Sequence, residues 1–361
     1  MITLGGDEAE LPYDRPPLSK QILNGEWEPD RLALRGQRDL DALDLDLRRG
    51  VSATRLDMAA RTLLLADGAQ LPYEALVVAT GVRARRLPAI EGVAGVHTLR
   101  TPTDALALKA RLRAGRRLVI VGTGFLGAEV AAVARGLGVE VTLVAMAQAV
   151  GEQAGRFLSQ LQGEHGVRLF TGVTVVEVLS AGGGAVGVEL ADGRVFPADD
   201  VLVAIDSVPN TEWLADSGLT LEDGLVCDRH SAAAPDVYGV GDVACWYNPL
   251  FGTAMRVEHR TNAGEQALTV AHNLLSPEGR RPFAPVPYFW SDQYDTRIQA
   301  YGYLPDHDEA RVLESDVTGQ ELLVLYRRGD RPRCPAAHVC RDHRRTRVAT
   351  HLPRSQSCRS L

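Results

Sequence analysis

The chain has 361 residues, 45% of them hydrophobic and 24% charged, which is enough for two or three domains with sizeable cores. A formal net charge of −7 argues against nucleic acid as its general partner. No apolar run approaches the ~18–20 residues of a membrane span, no leader-like stretch opens the chain, and five scattered cysteines without a C-x-x-C fit a reducing cytoplasm. Lysine is nearly absent. Lys20 and Lys109 are the only two, so each marks a place where a compact ammonium rather than a guanidinium stands.

In chain order, Met1–Leu4 reads as a strand, followed by Gly5-Gly-Asp-Glu8. The loop Leu11-Pro-Tyr-Asp-Arg-Pro-Pro-Leu-Ser-Lys20 comes next and is stiffened by its prolines. Asp39–Leu47 and Leu63–Leu71 alternate in part, the second turning at Asp67-Gly68, and together they predict a small antiparallel layer. Leu76-Val-Val-Ala-Thr-Gly81 is a predicted buried strand. The basic loop Arg83, Arg85, Arg86 suits either solvent or an acidic partner. Thr98–Asp104 is a hinge into a helix over Ala105–Leu112.

Leu118–Val121 is an apolar β-branched run of the kind buried on both faces of a parallel sheet. Gly122, Gly124 and Gly127 follow as G-x-G-x-x-G at a strand-to-helix turn. The first allows the tight turn, the second lets a pyrophosphate approach backbone N–H groups, and the third lets the helix lie close to the sheet. Leu126, Val130, Val133 and Leu137 predict the inward stripe of that helix, Gly138 its stop, and Val139–Val144 the next strand. This strand runs into Ala145-Met-Ala-Gln148. That stretch offers neither the acid that suits NAD nor the arginine that suits NADP, so the choice between them stays open.

A helix over Gln153–Glu164, a hairpin through Gly182–Gly184 and a strand at Val201–Ile205 complete this unit. Farther on, Pro235-Asp-Val-Tyr-Gly-Val-Gly-Asp242 reads as a short strand ending at a turn. Arg256–Ala263 opens a helix through Leu268 and Leu274, and Leu322–Arg327 is a strand. After Asp330 eight arginines, three histidines and three cysteines appear without apolar periodicity. Cys334, Cys340, His343 and His351 match no standard zinc spacing.

The loop P-Y-D-R-P-P-L-S-K, with Ala-Thr-Gly81, V-P-N-T-E-W-L and Y-G-V-G-Asp242, resembles the FAD-dependent ferredoxin and rubredoxin reductases that serve bacterial oxygenases. That resemblance implies an α/β chain with two Rossmann-like dinucleotide-binding domains of glutathione-reductase type and a small C-terminal α/β domain. The expected division is an FAD-binding domain over 1–99 and 226–284, an NAD(P)H-binding domain over 100–225, a C-terminal domain over 285–330 and an atypical basic tail over 331–361. FAD and NAD(P)H are the implied cofactors, and an iron–sulfur or rubredoxin-type protein is the implied electron acceptor.

The resemblance also implies roles for single residues. Glu8 would bind the adenosine ribose of FAD, Arg15 and Pro16 belong to the loop against its ring, and Thr80 and Gly81 run close to it. Gly241 opens a helix facing phosphate, Asp242 takes a ribityl hydroxyl, and Trp290 in Pro287–Gln293 covers the ring system. Lys20 and Glu129 form the catalytic pair beside the ring edge, while Gly122, Gly124 and Gly127 hold the nicotinamide nucleotide. Two departures stand out. Asp206 occupies a place where the family has glycine, and the family's first glycine fingerprint, roughly thirty residues, would precede Met1, leaving the first domain N-terminally truncated. A nucleotide-binding remnant without turnover is the alternative expectation.

Overall fold

The apolar strand Arg117–Val121 is the axis of the central unit. In the computed structural model, which describes residues 1–86, 92–122, 124–145, 151–303, 307–315, 321–327 and 336–340, it is the middle of five parallel strands. Their order is Arg168–Thr171, Glu140–Ala145, Arg117–Val121, Asp200–Val203, Val96–His97. Alternation splits its side chains between two cores. Leu118 and Ile120 pack with Leu108, Val130 and Ala134, under the helices, whereas Val119 and Val121 pack with Val178, Val188 and Leu190. The latter belong to an antiparallel meander of Val175–Ala181, Gly184–Leu190 and Val195–Pro197. Both faces are therefore covered, which is why the strand carries no polar alternation.

The helix after the glycine turn spans Phe125–Gly136. Its inward face differs from the expected stripe: Leu126 is exposed, Val133 and Leu137 are half-buried, and Gly127, Val130, Ala131 and Ala134 face in. Close approach selects small residues here. A Cβ on Gly127 would lie 2.5 Å from the Gly122 carbonyl oxygen and 3.2 Å from Ile120 Cγ2. At the opposite end of the sheet Asp200 is buried. Burial opposes its charge, but hydrogen bonds from His97, Arg111 and Arg116 more than offset this and hold it below the ordinary carboxylate range.

The N-terminal region is built differently from one expectation. Ile2–Gly6 pairs in parallel with Leu45–Arg49, and the residues before the second strand form the short helix Gln37–Asp41 instead of extending an antiparallel layer. A parallel partner needs a crossover, which a hairpin cannot supply. The layer that does form joins Ala53–Asp57, Thr62–Leu65 and Gln70–Pro72, with the expected turn at Asp67-Gly68.

Leu76–Val78 pairs in parallel with Val237–Gly239, so the chain returns to its first unit after the inserted one. It is less buried than its composition suggests, since Val77 is 41% exposed. The outgoing and returning segments also pair with each other, Val82–Ala84 against Ser207–Pro209. Thr80 Oγ1 donates to the Asn210 carbonyl at 2.8 Å, and Asn210 Nδ2 donates back to the Thr80 carbonyl at 2.9 Å.

The helix Arg260–Leu275, expected through Leu268 and Leu274, turns Asn262, Gln266, Val270 and Asn273 inward, while Leu268 is 74% exposed. Its N-cap, His259, packs against Phe289 at 5.0 Å with Nδ1 buried and unpartnered. Burial pushes this imidazole down to about 4. The C-terminal region, expected as α/β, is an antiparallel sheet in its described residues. Its order is Tyr288–Gln293, Thr296–Tyr301, Ala336–Cys340, Glu321–Arg327, Glu309–Ser315. The middle strand thus comes from the stretch whose composition had set it apart as a tail. The sheet packs on Phe125, Phe157 and Leu158 of the central unit.

Two stability predictions follow from this packing. Gly127→Ala should lose about 1–3 kcal/mol by overpacking. Gly136→Ala, whose added methyl meets nothing within 4 Å, should gain up to about 1 kcal/mol; urea melts separate the two. For His259, the unfolded chain takes up a proton near the ordinary imidazole value of 6.5 and the buried native ring only at about 4. Between these values the unfolded state binds more protons, so stability falls as pH drops. The urea midpoint should therefore drop more steeply from pH 7 to pH 5 in the wild type than in His259→Phe.

Candidate active site

Gly122 ends the central strand with φ +116, and a Cβ there would collide with the Ala204 carbonyl on the neighbouring strand end. Gly124 is the N-cap of the Phe125–Gly136 helix, and no atom lies within 4 Å of where its Cβ would stand. Two glycines thus close the turn against the sheet and the third leaves an open cradle over a helix N-terminus. That arrangement fits a dinucleotide pyrophosphate. Asp206, exposed, has φ +51, a left-handed conformation that glycine adopts freely and aspartate tolerates. Thr123 and 146–148 lie outside the described residues, so the nucleotide-selecting end of the second strand does too.

Lys20 is fixed through its loop. Pro16–Ser19 form a 3-10 turn and Gln21–Asn24 one helical turn, and Leu18, Ile22 and Leu23 anchor both in the core that contains Val130 and Ala131. From this base Lys20 Nζ reaches Glu129 Oε2 at 2.8 Å, with the two side chains 13% and 7% exposed. Such burial separates the pair from a solvated surface ion pair. Ser19 Oγ donates to the same oxygen at 2.5 Å, and Ser291 Oγ donates to Oε1 at 2.8 Å. The Pro16 carbonyl also accepts from Lys20 Nζ at 3.4 Å.

A second cluster gathers the other charged residues named from sequence. Arg15 donates to Glu8 Oε1 at 2.5 Å, to the Tyr13 hydroxyl at 2.6 Å and to the Arg100 carbonyl at 2.8 Å. Tyr13 in turn donates to Glu8 Oε2, and its burial together with that carboxylate pushes the phenol well above its usual range. Arg100 Nη2 meets Asp242 Oδ2 at 3.0 Å, while its buried Nε has no partner among the described residues. Gly81, at φ +62, lies against the same guanidinium; a Cβ there would be 3.3 Å from Nη2. Thr80 precedes it in the crossing segment. The orphaned guanidinium nitrogen, the carboxylate beside it and the bare glycine backbone fit the ring-bearing half of a flavin nucleotide. A second glycine turn for the phosphates has no counterpart among the described residues.

Gly241 departs from expectation, and Trp290 and Arg83 gain defined neighbours. Gly241, at φ +74, opens the 3-10 turn Gly241–Val243 rather than a helix, and its N–H is already taken by Gln266 Oε1 at 2.8 Å. Trp290 stacks with Tyr288 at 6.0 Å, and alternation along Tyr288–Gln293 turns it to the opposite face from Ser291 and the Lys20–Glu129 pair. Arg83, considered for an acidic partner, is committed to Glu212 at 2.5 Å and to Asn210 at 3.1 Å. Sequence reasoning missed Arg100, hidden in a hinge without a motif. It also gave no role to Ser19 or Ser291.

Known proteins match this arrangement along most of its length. Residues 1–267 fit the family described as pyridine nucleotide-disulphide oxidoreductase, and 288–352 fit the reductase C-terminal family, which spans the Ala336–Cys340 strand. The 5,5'-dehydrodivanillate O-demethylase ferredoxin reductase subunit of Sphingobium sp. is 38% identical over 91% of this chain and 81% of its own length. Rhodocoxin reductase of Rhodococcus erythropolis is 36% identical over 98% and 84%. Among solved structures, the covalent putidaredoxin reductase–putidaredoxin complex superposes with a TM-score of 0.88 at 32% identity, covering 94% of this chain and 83% of that one. Oxidoreductases of this kind use FAD and NAD(P)H. No described helix is long and apolar enough to cross a membrane. On the glycine turn, the two charged clusters and these matches together, the chain belongs to the pyridine nucleotide-disulphide oxidoreductase family.

Proposed function

We propose that this chain is an NAD(P)H-dependent flavoprotein reductase that passes electrons to a ferredoxin- or rubredoxin-type protein of an oxygenase system. The observation that carries the reading is the buried Lys20–Glu129 pair, 2.8 Å long, which joins the PLSK loop to the helix of the glycine fingerprint. Relatives named as ferredoxin or rhodocoxin reductases support the acceptor class. In this reading residues 1–99 and 226–284 hold FAD, 100–225 hold the nicotinamide nucleotide, and the sheet from 285 onward covers the junction.

FAD, when bound, supplies the conversion between hydride uptake and single-electron release. The protein's own residues have simpler tasks. Gly122, Gly124 and Gly127 seat the nicotinamide nucleotide. Glu8 faces a ribose, and Arg100 and Asp242 face the ribityl chain beside Thr80 and Gly81. Arg15 and Pro16 fix the loop, and Pro16 holds the Lys20 ammonium through its carbonyl. Lys20 presents a charge at the ring edge while Glu129 orients it and the surrounding apolar core excludes water. Cys227 and Cys245 are free thiols, which supports a cytosolic site of action.

The visible spectrum of the purified protein tests this reading. Flavin bands that NADH or NADPH bleaches under anaerobic conditions are the expected result. A colourless protein that FAD cannot reconstitute would mean a nucleotide-binding chain without turnover. In a flavin-loaded sample, Lys20→Ala should slow flavin reduction about tenfold or more, the loss of one hydrogen bond to a charged group. An unchanged rate removes Lys20 from the reaction.

A further inference from the structure

Both oxygens of the Glu129 carboxylate are occupied, and by separate parts of the chain. Oε2 receives Lys20 and Ser19 from the PLSK loop, and Oε1 receives Ser291 from the first strand of the C-terminal sheet. Behind Ser291 the bonds continue. Gln293 Nε2 donates to Ser291 Oγ at 3.3 Å, Gln162 Nε2 to Gln293 Oε1 at 3.0 Å, and the Tyr294 hydroxyl to Gln162 Oε1 at 2.9 Å. The Tyr294 ring stacks on His165 at 3.6 Å. Every donor in this series points toward Glu129, so the single Ser291 proton is left for the carboxylate while its lone pair accepts from the amide behind. Bonds aligned head to tail polarise one another in a dry interior. The interior here is dry: Ser291 and Gln293 are 0% exposed and Gln162 is 3% exposed.

We propose that Ser291 is a positioning residue: the C-terminal sheet, through Ser291, Gln293, Gln162 and Tyr294, fixes the Glu129 carboxylate in the orientation that meets Lys20. This rests on Lys20–Glu129 being the pair at the ring edge. Ser19 alone leaves the carboxylate free to turn about the oxygen it shares with Lys20. Ser291 supplies the second point that stops that rotation, from an element 162 residues away in sequence. The sheet covering the central unit is thereby coupled to the direction of a single ammonium.

The lysine content of the chain makes this measurable, since Lys20 and Lys109 are its only lysines. The full-length protein as purified is treated with acetic anhydride, and the acetylation rates of the two lysines are compared by peptide mass spectrometry. In Ser291→Ala the Lys20:Lys109 rate ratio should rise about tenfold, the population change expected when a hydrogen bond to a charged group is lost. Ser291→Thr, which keeps the hydroxyl, should bring the ratio back toward the wild-type value. A merely structural serine would raise the ratio only through opening of the whole fold, in step with a lower urea midpoint and without selective rescue by threonine, so ratio and midpoint are read together. An unchanged ratio in folded Ser291→Ala overturns the proposal. Should Ser291→Ala fail to fold, Gln293→Leu cuts the chain one link farther back; about a threefold rise supports the proposal and no rise overturns it. Labelling needs no turnover, so its failure would leave the flavin-bleaching result standing, and the reverse.

Discussion

An ammonium and a carboxylate buried together lose several kcal/mol of hydration each, and their attraction repays this only if the remaining lone pairs are satisfied. Lys20 and Glu129 meet that condition with three groups besides each other: Ser19, Ser291 and the Pro16 carbonyl. The rest of the architecture follows from keeping those groups in place. Leu18, Ile22 and Leu23 nail the PLSK loop into the central core. Gly127 brings the fingerprint helix close to the sheet and Glu129 follows two residues later. Phe125, Phe157 and Leu158 seat the C-terminal sheet so that Ser291 arrives from the far side. Removing either charged partner would leave the other buried and unpaired, a larger loss than the net worth of the pair.

The same helix start therefore serves two ends. Its N-terminus, opened by Gly124, offers backbone N–H groups to a nucleotide, and its second turn carries the carboxylate that faces the other unit. Gly124 and Glu129 ride on one helix, and the close approach of Gly127 to Gly122 sets how near that helix lies to the sheet. The paired segments Val82–Ala84 and Ser207–Pro209 restrain the central unit at its neck, and Asp206 takes its left-handed turn at the end of that neck.

What the sequence reveals and what it hides divide along a physical line. The glycine fingerprint, the hairpins at Asp67-Gly68 and Gly182–Gly184 and the buried strand Arg117–Val121 are local patterns, and local patterns are readable. Lys20 and Glu129 come together from a loop and a helix far apart in sequence, so only the resemblance brought them to notice. Arg100 belongs to no pattern, and Ser291 lies within Pro287–Gln293 without a role that the pattern assigns, since the importance of both is in what they touch. Leu126 misled, and the inward faces of its helix and of Arg260–Leu275 show why. Periodicity counts large apolar side chains, but the first helix faces inward with glycine and alanine because of close approach. The second faces inward with Asn262, Gln266 and Asn273, whose amides bond to backbone groups, as Gln266 does with Gly241. The basic stretch after Asp330 misled as well, because a central strand such as Ala336–Cys340 needs only five residues whose backbones pair on both sides.

The family's name raises a further point about how electrons leave. Of the cysteines whose side chains are described, Cys227 and Cys245 lie on adjacent parallel strands, and Cys227 is packed so that a Cβ on Gly239 would sit 2.8 Å from its sulfur. Burial pushes the Cys227 thiol up to about 12 and raises Cys245 as well. Thiols in that state are poor nucleophiles and poor partners for exchange. Neither belongs to the PLSK loop, where Lys20 stands instead, and an ammonium can orient and stabilise charge but cannot accept electrons. The local chemistry thus favours release from a ring edge to an external acceptor over relay through a protein disulfide. This is the division of labour that a buried lysine held by Glu129 and the Pro16 carbonyl is suited to support.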